Sequence, residues 1–160
     1  MTQPPDLVVT LRSAIPLARG MGSGAAISTA IVRCLAAYFE RSLGPDEVSS
    51  LVYQTEVLFH GTPSGIDNTV IAYGQPVWFV KGTPPTQFTP GAPFTFVIAH
   101  SGIAAPTKET VGDVRRAWQA DPARFEAIFS EIGTIVHQAR TALETGQLTN
   151  LGKLFNRNQA

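Results

Sequence analysis

The apolar positions of the chain change period several times. "LVVTLRSAI" (Leu7–Ile15) alternates and is β-branched, which predicts a strand stopped by Pro16. From Gly24 to about Glu40, the residues Ile27, Ala30, Ile31, Cys34, Leu35 and Tyr38 recur at helical spacing and predict a helix with that face inward. "GPDE" (Gly44–Glu47) marks a helix stop and then a start: Gly44 suits a left-handed cap, Pro45 the first turn, and Asp46 and Glu47 the positive helix end. A second helix then carries Val48, Leu51, Val52, Thr55 and Phe59 on one face and ends in the turn chemistry of "HGTPSG" (His60–Gly65).

Beyond that turn the pattern predicts two strands, Asn68–Tyr73 and Pro76–Lys81, joined at Gly74. Residues 82–93 hold four prolines and two glycines and predict a loop, which also marks a subdomain boundary, 1–82 and 83–160. Phe94–His100 predicts a further strand. Three helices are expected after it. The first runs from Thr107 to Trp118 with Val111, Val114 and Trp118 inward. The second starts at Asp121–Pro122 and carries Phe125, Ile128, Phe129, Ile132, Val136, Ala139 and Leu143. The third starts near Leu148. Strands followed by helices, without strict βαβ alternation, indicate an α+β fold.

Composition narrows the function without naming it. The 160 residues carry a formal net charge of zero, with Lys and Arg scattered, so no electrostatic surface for nucleic acid or acidic lipid is expected. No apolar run reaches the roughly 18 residues needed to span a bilayer, and no signal-peptide pattern is present. A single cysteine, Cys34, forbids an internal disulfide and fits a reducing cytoplasm. Its place on the predicted apolar face makes it a small buried hydrophobe.

The chemistry begins at "PLARGMGSGAA" (Pro16–Ala26), with three glycines in five residues between a strand and a helix. Unpaired N–H groups of a helix's first turn, with its positive end, form a seat for phosphate, and glycines let the backbone approach. The ATP-type P-loop fails, because Ala25 follows Gly24 where lysine is required. Gly20, Gly22 and Ala25 satisfy the dinucleotide pattern, but the chain enters another helix at Pro45 instead of a second parallel strand. A glycine turn that only packs helix on strand is the bland alternative.

A second constellation is "QTEVLFHGTPSGIDN" (Gln54–Asn68), with Glu56 and Asp67 eleven residues apart. Steps of four from Val48 through Val52 reach Glu56, so its carboxylate emerges beside the core. A magnesium–nucleotide site needs a hard oxygen ligand and a group that takes or orients the acceptor's proton. One carboxylate could serve each task; equally, Glu56 could be a solvated helix residue and Asp67 a turn residue. His60 has no second His or Cys near it and fits a loop hydrogen-bonder.

These residues carry a family resemblance. "PLARGMGSGAA" resembles the second motif of the GHMP small-molecule kinases. "HGTPSGIDN" (His60–Asn68) and "SGIAAPTKE" (Ser101–Glu109) resemble the mevalonate kinase family within that superfamily. The similarity runs along essentially the whole chain. It implies the GHMP kinase fold: the second half of an N-terminal, ribosomal-protein-S5-like nucleotide-binding domain, then the start of a C-terminal α/β domain. It also implies ATP-dependent phosphorylation of the C5 hydroxyl of mevalonate, with Mg2+. By the same resemblance Arg19, Gly20, Met21, Gly22, Ser23, Gly24 and Ala25 wrap the ATP phosphates. Glu56 binds magnesium, and Asp67 is the catalytic aspartate. His60, Ser64, Gly65 and Thr107 line the mevalonate pocket.

Three departures stand out. The family loop has a serine where this chain has Gly24, which leaves Ser23 or water for the metal. Ala18 replaces a frequent glycine. The family's N-terminal lysine and its third, glycine-rich motif have no counterpart, since none of Lys81, Lys108 or Lys153 matches. The chain by itself is therefore expected to turn over little or nothing. The strand at Leu7–Ile15 is expected to keep one edge open for another chain, a second copy included.

Overall fold

Two helices whose first residues follow a left-handed glycine set the geometry of the N-terminal half. The computed structural model describes residues 6–16, 20–60, 62–99 and 107–159. The elements are α1 (Ser23–Tyr38), α2 (Pro45–His60), α3 (Ile66–Tyr73), β1 (Val77–Trp78), β2 (Thr86–Gln87), α4 (Thr107–Ala120), α5 (Pro122–Glu144) and α6 (Leu148–Gln159).

Helices α1, α2 and α3 pack as a triangle around Ala25, Val48, Val52 and Ala72, with Val32, Leu43 and Ile71 partly buried at the rim. The small side chains at Ala25 and Ala72 let the helices approach, and Val48 and Val52 fill the space between them. Arg33 Nη2 crosses from α1 to donate to the Ala72 carbonyl of α3 at 2.7 Å. That bond satisfies one of the carbonyls a helix C-terminus leaves unpaired. Helix α2 starts as its sequence dictates, with Glu47 accepting from the Gly44 N–H at 2.9 Å.

The C-terminal half is a helical array. Asp121 caps α5 by accepting from the Arg124 N–H, and Pro122 occupies its first turn. Ile135, Ala142 and Leu151 are buried where α5 meets α6. The proline-rich loop is tied to this array: the Gly91 N–H donates to the Leu143 carbonyl at 2.8 Å. A Cβ on Gly91 would stand 2.4 Å from the Glu144 carbonyl oxygen, so only glycine fits there. Trp78 of β1 holds the halves together from the other side, with its ring 4.9 Å from that of His137 and 4.8 Å from the Arg140 guanidinium.

Several expectations are corrected. Leu7–Ile15 forms no strand: it carries no regular structure and Val8 is 88% exposed, so the open strand edge expected there is absent. Alternation supplies a face, but a strand also needs a partner ladder, and none of the described residues pairs with it. Phe94–Ala99 likewise pairs with no strand among the described residues, and His100 lies outside them. Asn68–Tyr73 is helical, part of α3, with left-handed glycines at both ends: Gly65 (φ 91) and Gly74 (φ 64). The strand expected at Pro76–Lys81 shrinks to Val77–Trp78, and the loop that follows donates Thr86–Gln87 as its antiparallel partner, in the register Val77↔Gln87 and Trp78↔Thr86.

Helix α1 turns its other face inward. Its buried positions are Ala25 and Thr29, with Val32 partly buried against the core; Ile27 and Ile31 are half-buried and Cys34 is exposed. At about 100° per residue, Cys34 lies half a turn around the helix from Ala25, and it is exposed. The stripes expected inward on α4 and α5 stay partly open, with Val111, Val114, Trp118, Ile128, Phe129, Ile132 and Val136 between 38% and 49% exposed.

Candidate functional site

The site forms where the N-termini of α1 and α3 meet α2. Gly22 precedes α1 with φ 65 and ψ 25, and no side chain caps that helix. The first-turn amides of Ser23, Gly24 and Ala25 therefore keep the unpaired N–H groups of a helix start. Gly20 also has positive φ, 70. Ala25 anchors the turn in the core at 1% exposure, while Gly20, Met21 and Gly24 stay exposed. Arg19 lies outside the described residues.

Both predicted carboxylates flank this turn. Glu56 is 7% exposed and sits one helical turn beyond the buried Val52, as the step of four predicted. A Cβ on Gly24 would lie 3.3 Å from Glu56 Oε1. Helix α2 is fixed against α1 at this level by Thr55, whose Oγ1 is 3.1 Å from Ser28 Oγ and 2.7 Å from the Val52 carbonyl. Asp67, in the first turn of α3, is exposed. A Cβ on Gly22 would stand 3.8 Å from Asp67 Cγ and 3.4 Å from Ile71 Cδ1. Two residues separated by eleven positions thus address neighbouring glycines of one loop.

The turn leading into α3 is held from several sides. Ser64 Oγ accepts from the Ile66 N–H at 3.2 Å, satisfying one first-turn donor. Lys81 Nζ donates to the Pro63 carbonyl at 3.3 Å. Gly65, with φ 91, is buried under two rings: a Cβ there would meet Phe79 Cζ at 3.2 Å and Tyr53 Cε2 at 3.6 Å. His60 is the last residue of α2 and Thr107 the first of α4, and their side chains lie outside the described part. Ser64 and Gly65 are thus brought to Asp67 by the chain itself.

Sequence reasoning missed the polar groups behind α3. Asn68, Thr69 and Ser49 are all buried and bonded to one another. The signal was available in "GIDNT": a glycine, an acid and two short polar residues make a helix start. The β-branched run that follows pointed to a strand instead.

The donor set suits an anion with its counter-cation. Helix amides attract phosphate, yet two carboxylates beside them would repel it. A divalent cation between them resolves the conflict. Among the described residues no cluster of three or more His, Cys, Asp or Glu side chains exists. Glu56, beside Gly24, and Ser23, the first residue of α1, are the residues that could hold such a cation. No helix among the described residues is long and apolar enough to cross a membrane.

Residues 2–75 match the family described as GHMP kinases N terminal domain. Over 157 residues the chain is 31% identical to a mevalonate kinase of Thermococcus sibiricus, covering 95% of this chain and 46% of that protein. It is 33% identical over 160 residues to a mevalonate kinase of Thermococcus gammatolerans, with coverages of 95% and 46%. A mevalonate kinase of Arabidopsis thaliana is 27% identical over 155 residues, covering 89% of this chain and 41% of that one. In structure the chain resembles an L. major mevalonate kinase crystallised in complex with R-mevalonate, with a TM-score of 0.69 and 31% identity over 88% of this chain and 44% of that one. The chain spans about half the length of the curated relatives it matches. The mostly helical α+β architecture is that of the GHMP kinase fold. Residues 2–75 are similar to the GHMP kinase N-terminal domain family, and the chain is similar to mevalonate kinases along nearly all of its length.

Proposed function

We propose that the protein carrying this sequence transfers the γ-phosphoryl group of ATP to the C5 hydroxyl of mevalonate, with Mg2+. The observation that supports this reading most directly is the placement of Glu56 against Gly24 and of Asp67 against Gly22, in one uncapped helix start. Residues 1–82 would supply the nucleotide half and residues 83–160 the beginning of the second half.

In this reading the loop from Arg19 to Ala25 cradles the phosphates, its glycines letting the backbone approach and its first-turn N–H groups donating to them. Glu56 and Ser23 hold the magnesium ion, which when bound neutralises charge on the phosphates. Asp67 is exposed and therefore reachable by a substrate hydroxyl. It accepts or orients the hydroxyl proton as the oxygen attacks phosphorus. His60, Ser64, Gly65 and Thr107 line the acceptor side. Ser64 and Gly65 adjoin Asp67 in sequence, which puts an acceptor docked on that turn next to the carboxylate.

The test is ADP release coupled to NADH oxidation, using the full natural polypeptide with ATP, Mg2+ and a panel of acceptors. Turnover with mevalonate, and not with phosphomevalonate or sugars, is the expected result. A preference for another acceptor would move the protein elsewhere among the GHMP kinases. Nucleotide binding without any transfer would make it a binding module.

A further inference from the structure

The interface between α2 and α3 is apolar at Val48, Val52 and Ala72 but polar at one level, beside Asp67. Asn68 is 3% exposed, Thr69 5% and Ser49 9%. Asn68 Nδ2 donates to the Ser49 carbonyl at 3.1 Å and to Ser49 Oγ at 2.9 Å. Ser49 Oγ lies 3.3 Å from Thr69 Oγ1, which donates to the Gly65 carbonyl at 2.6 Å. The chain of bonds therefore runs from α2 through both residues that follow Asp67 and ends on the glycine that precedes α3.

We infer that Ser49, Asn68 and Thr69 are positioning residues that fix the rotation of α3 and hence the carboxylate of Asp67. This inference rests on the proposed role of Asp67. Its physical basis is the difference between the two kinds of packing. Apolar contacts such as those of Val48, Val52 and Ala72 are non-directional and let a short helix turn about its axis at little cost. Hydrogen bonds have preferred angles and do not allow this. The Arg33–Ala72 and Tyr73–Asp46 bonds hold the C-terminal end of α3, and the polar level holds the end that carries Asp67. A rotation of about 10° at a side-chain radius of roughly 5 Å displaces a carboxylate by about 1 Å. Misplacement on that scale costs on the order of a hundredfold in rate. Stability alone gives no reason for the polar level, since replacing both partners of a buried hydrogen bond by apolar groups of the same shape is close to neutral. Isolating two inward-facing polar residues next to one exposed acid holds the acid outward at a defined angle.

The experiment uses the full natural polypeptide, with turnover, ATP KM and melting temperature read together. The paired variant Ser49→Ala/Asn68→Leu replaces the bonds between Asn68 and Ser49 by apolar contact and leaves Thr69 bonded to the Gly65 carbonyl. Its expected behaviour is a melting temperature within a few degrees of the parent, an unchanged ATP KM, and kcat lower by about 10- to 100-fold. Thr69→Val should lower kcat in the same way, and Thr69→Ser, which keeps the hydroxyl, should restore it. Asp67→Asn is the reference, expected to lose at least about a hundredfold. A folded paired variant with the parent's kcat overturns the inference. If that variant does not fold, Thr69→Val decides: parental kcat in it overturns the inference as well. Full turnover in Asp67→Asn, or none in the unaltered protein, instead removes the functional reading, and the positioning role falls with it.

Discussion

Glu56 Oε1 lies 3.3 Å from the point a Cβ would occupy on Gly24. The buried acid and the first turn of α1 therefore share one small space. Gly24 is not among the glycines with positive φ, so its backbone accepts any L-residue. What the glycine provides is room at the carboxylate. Gly24→Ala should leave the fold intact and raise the melting temperature slightly, because alanine gains up to about 1 kcal/mol of helix propensity over glycine. It should also displace the Glu56 carboxylate by a few tenths of an ångström and weaken magnesium–ATP binding several-fold. Calorimetric titration on the full natural polypeptide checks this, and unchanged affinity would show that the space is unused.

Gly22 has the opposite reason for being glycine. Its φ of 65 is left-handed, and a Cβ would press on Ile71 Cδ1 at 3.4 Å. Gly22→Ala should cost about 1–2 kcal/mol from the backbone alone, measured as a lower urea midpoint, and should weaken nucleotide binding by tilting the first turn. Gly20 has φ 70 but nothing within 4 Å of a Cβ. Gly20→Asn, whose side chain tolerates that conformation, should therefore be nearly silent in stability. Equal losses at the two positions would contradict this distinction.

How far the sequence revealed the site depended on whether a feature was local. The loop, the start of α2 and the step Val48–Val52–Glu56 are encoded within one or two helical turns, and all are found. The orientation of α1 was not legible, because both of its faces carry apolar residues. Which one is buried depends on α2 and α3, whose small Ala72 and short valines admit the Ala25 side. Helix α3 was missed because "NTVIAY" has strand composition. Its helicity comes from Gly65 and Gly74 at the ends and from Thr69 bonding back to Gly65. The unpaired segments at Leu7–Ile15 and Phe94–Ala99 show the converse, since a strand's alternation cannot by itself provide the ladder.

Glutamine replaces one carboxylate oxygen of Glu56 by an NH2 group of nearly the same volume, so Glu56→Gln removes the charge with little change of shape. The step-of-four packing with Val48 and Val52 is kept, and the change in unfolding free energy should stay within about 1 kcal/mol. Loss of the charge should remove most of the magnesium dependence of ATP binding, since a hard cation prefers an anionic oxygen to an amide. A titration of ATP at several magnesium concentrations distinguishes the outcomes. If the mutant responds to magnesium as the parent does, Glu56 is a structural acid and the metal lies elsewhere.

Tyr73 and Asp46 give the fold a response to alkaline pH. The Tyr73 hydroxyl, at the end of α3, donates to Asp46 Oδ1 in the first turn of α2 at 2.5 Å. The Asp46 hydrogen bond, then desolvation, then the nearby negative charge hold the phenol above its ordinary value of 10.0. Tyrosine is neutral when protonated, so a folded-state pKa above the unfolded one means the folded protein keeps its proton longer. The contribution to stability is therefore complete below about pH 10 and is lost as pH rises through the folded-state value. Above that range the ionised phenolate and Asp46 repel each other across the α2–α3 contact. Tyr73→Phe removes both the bond and the titration. Urea unfolding of parent and variant between pH 8 and 11.5 should show the parent more stable at pH 8, by a small margin because the pair is exposed. That margin should shrink as pH climbs. Curves that stay parallel across the range would mean that the bond contributes nothing in solution.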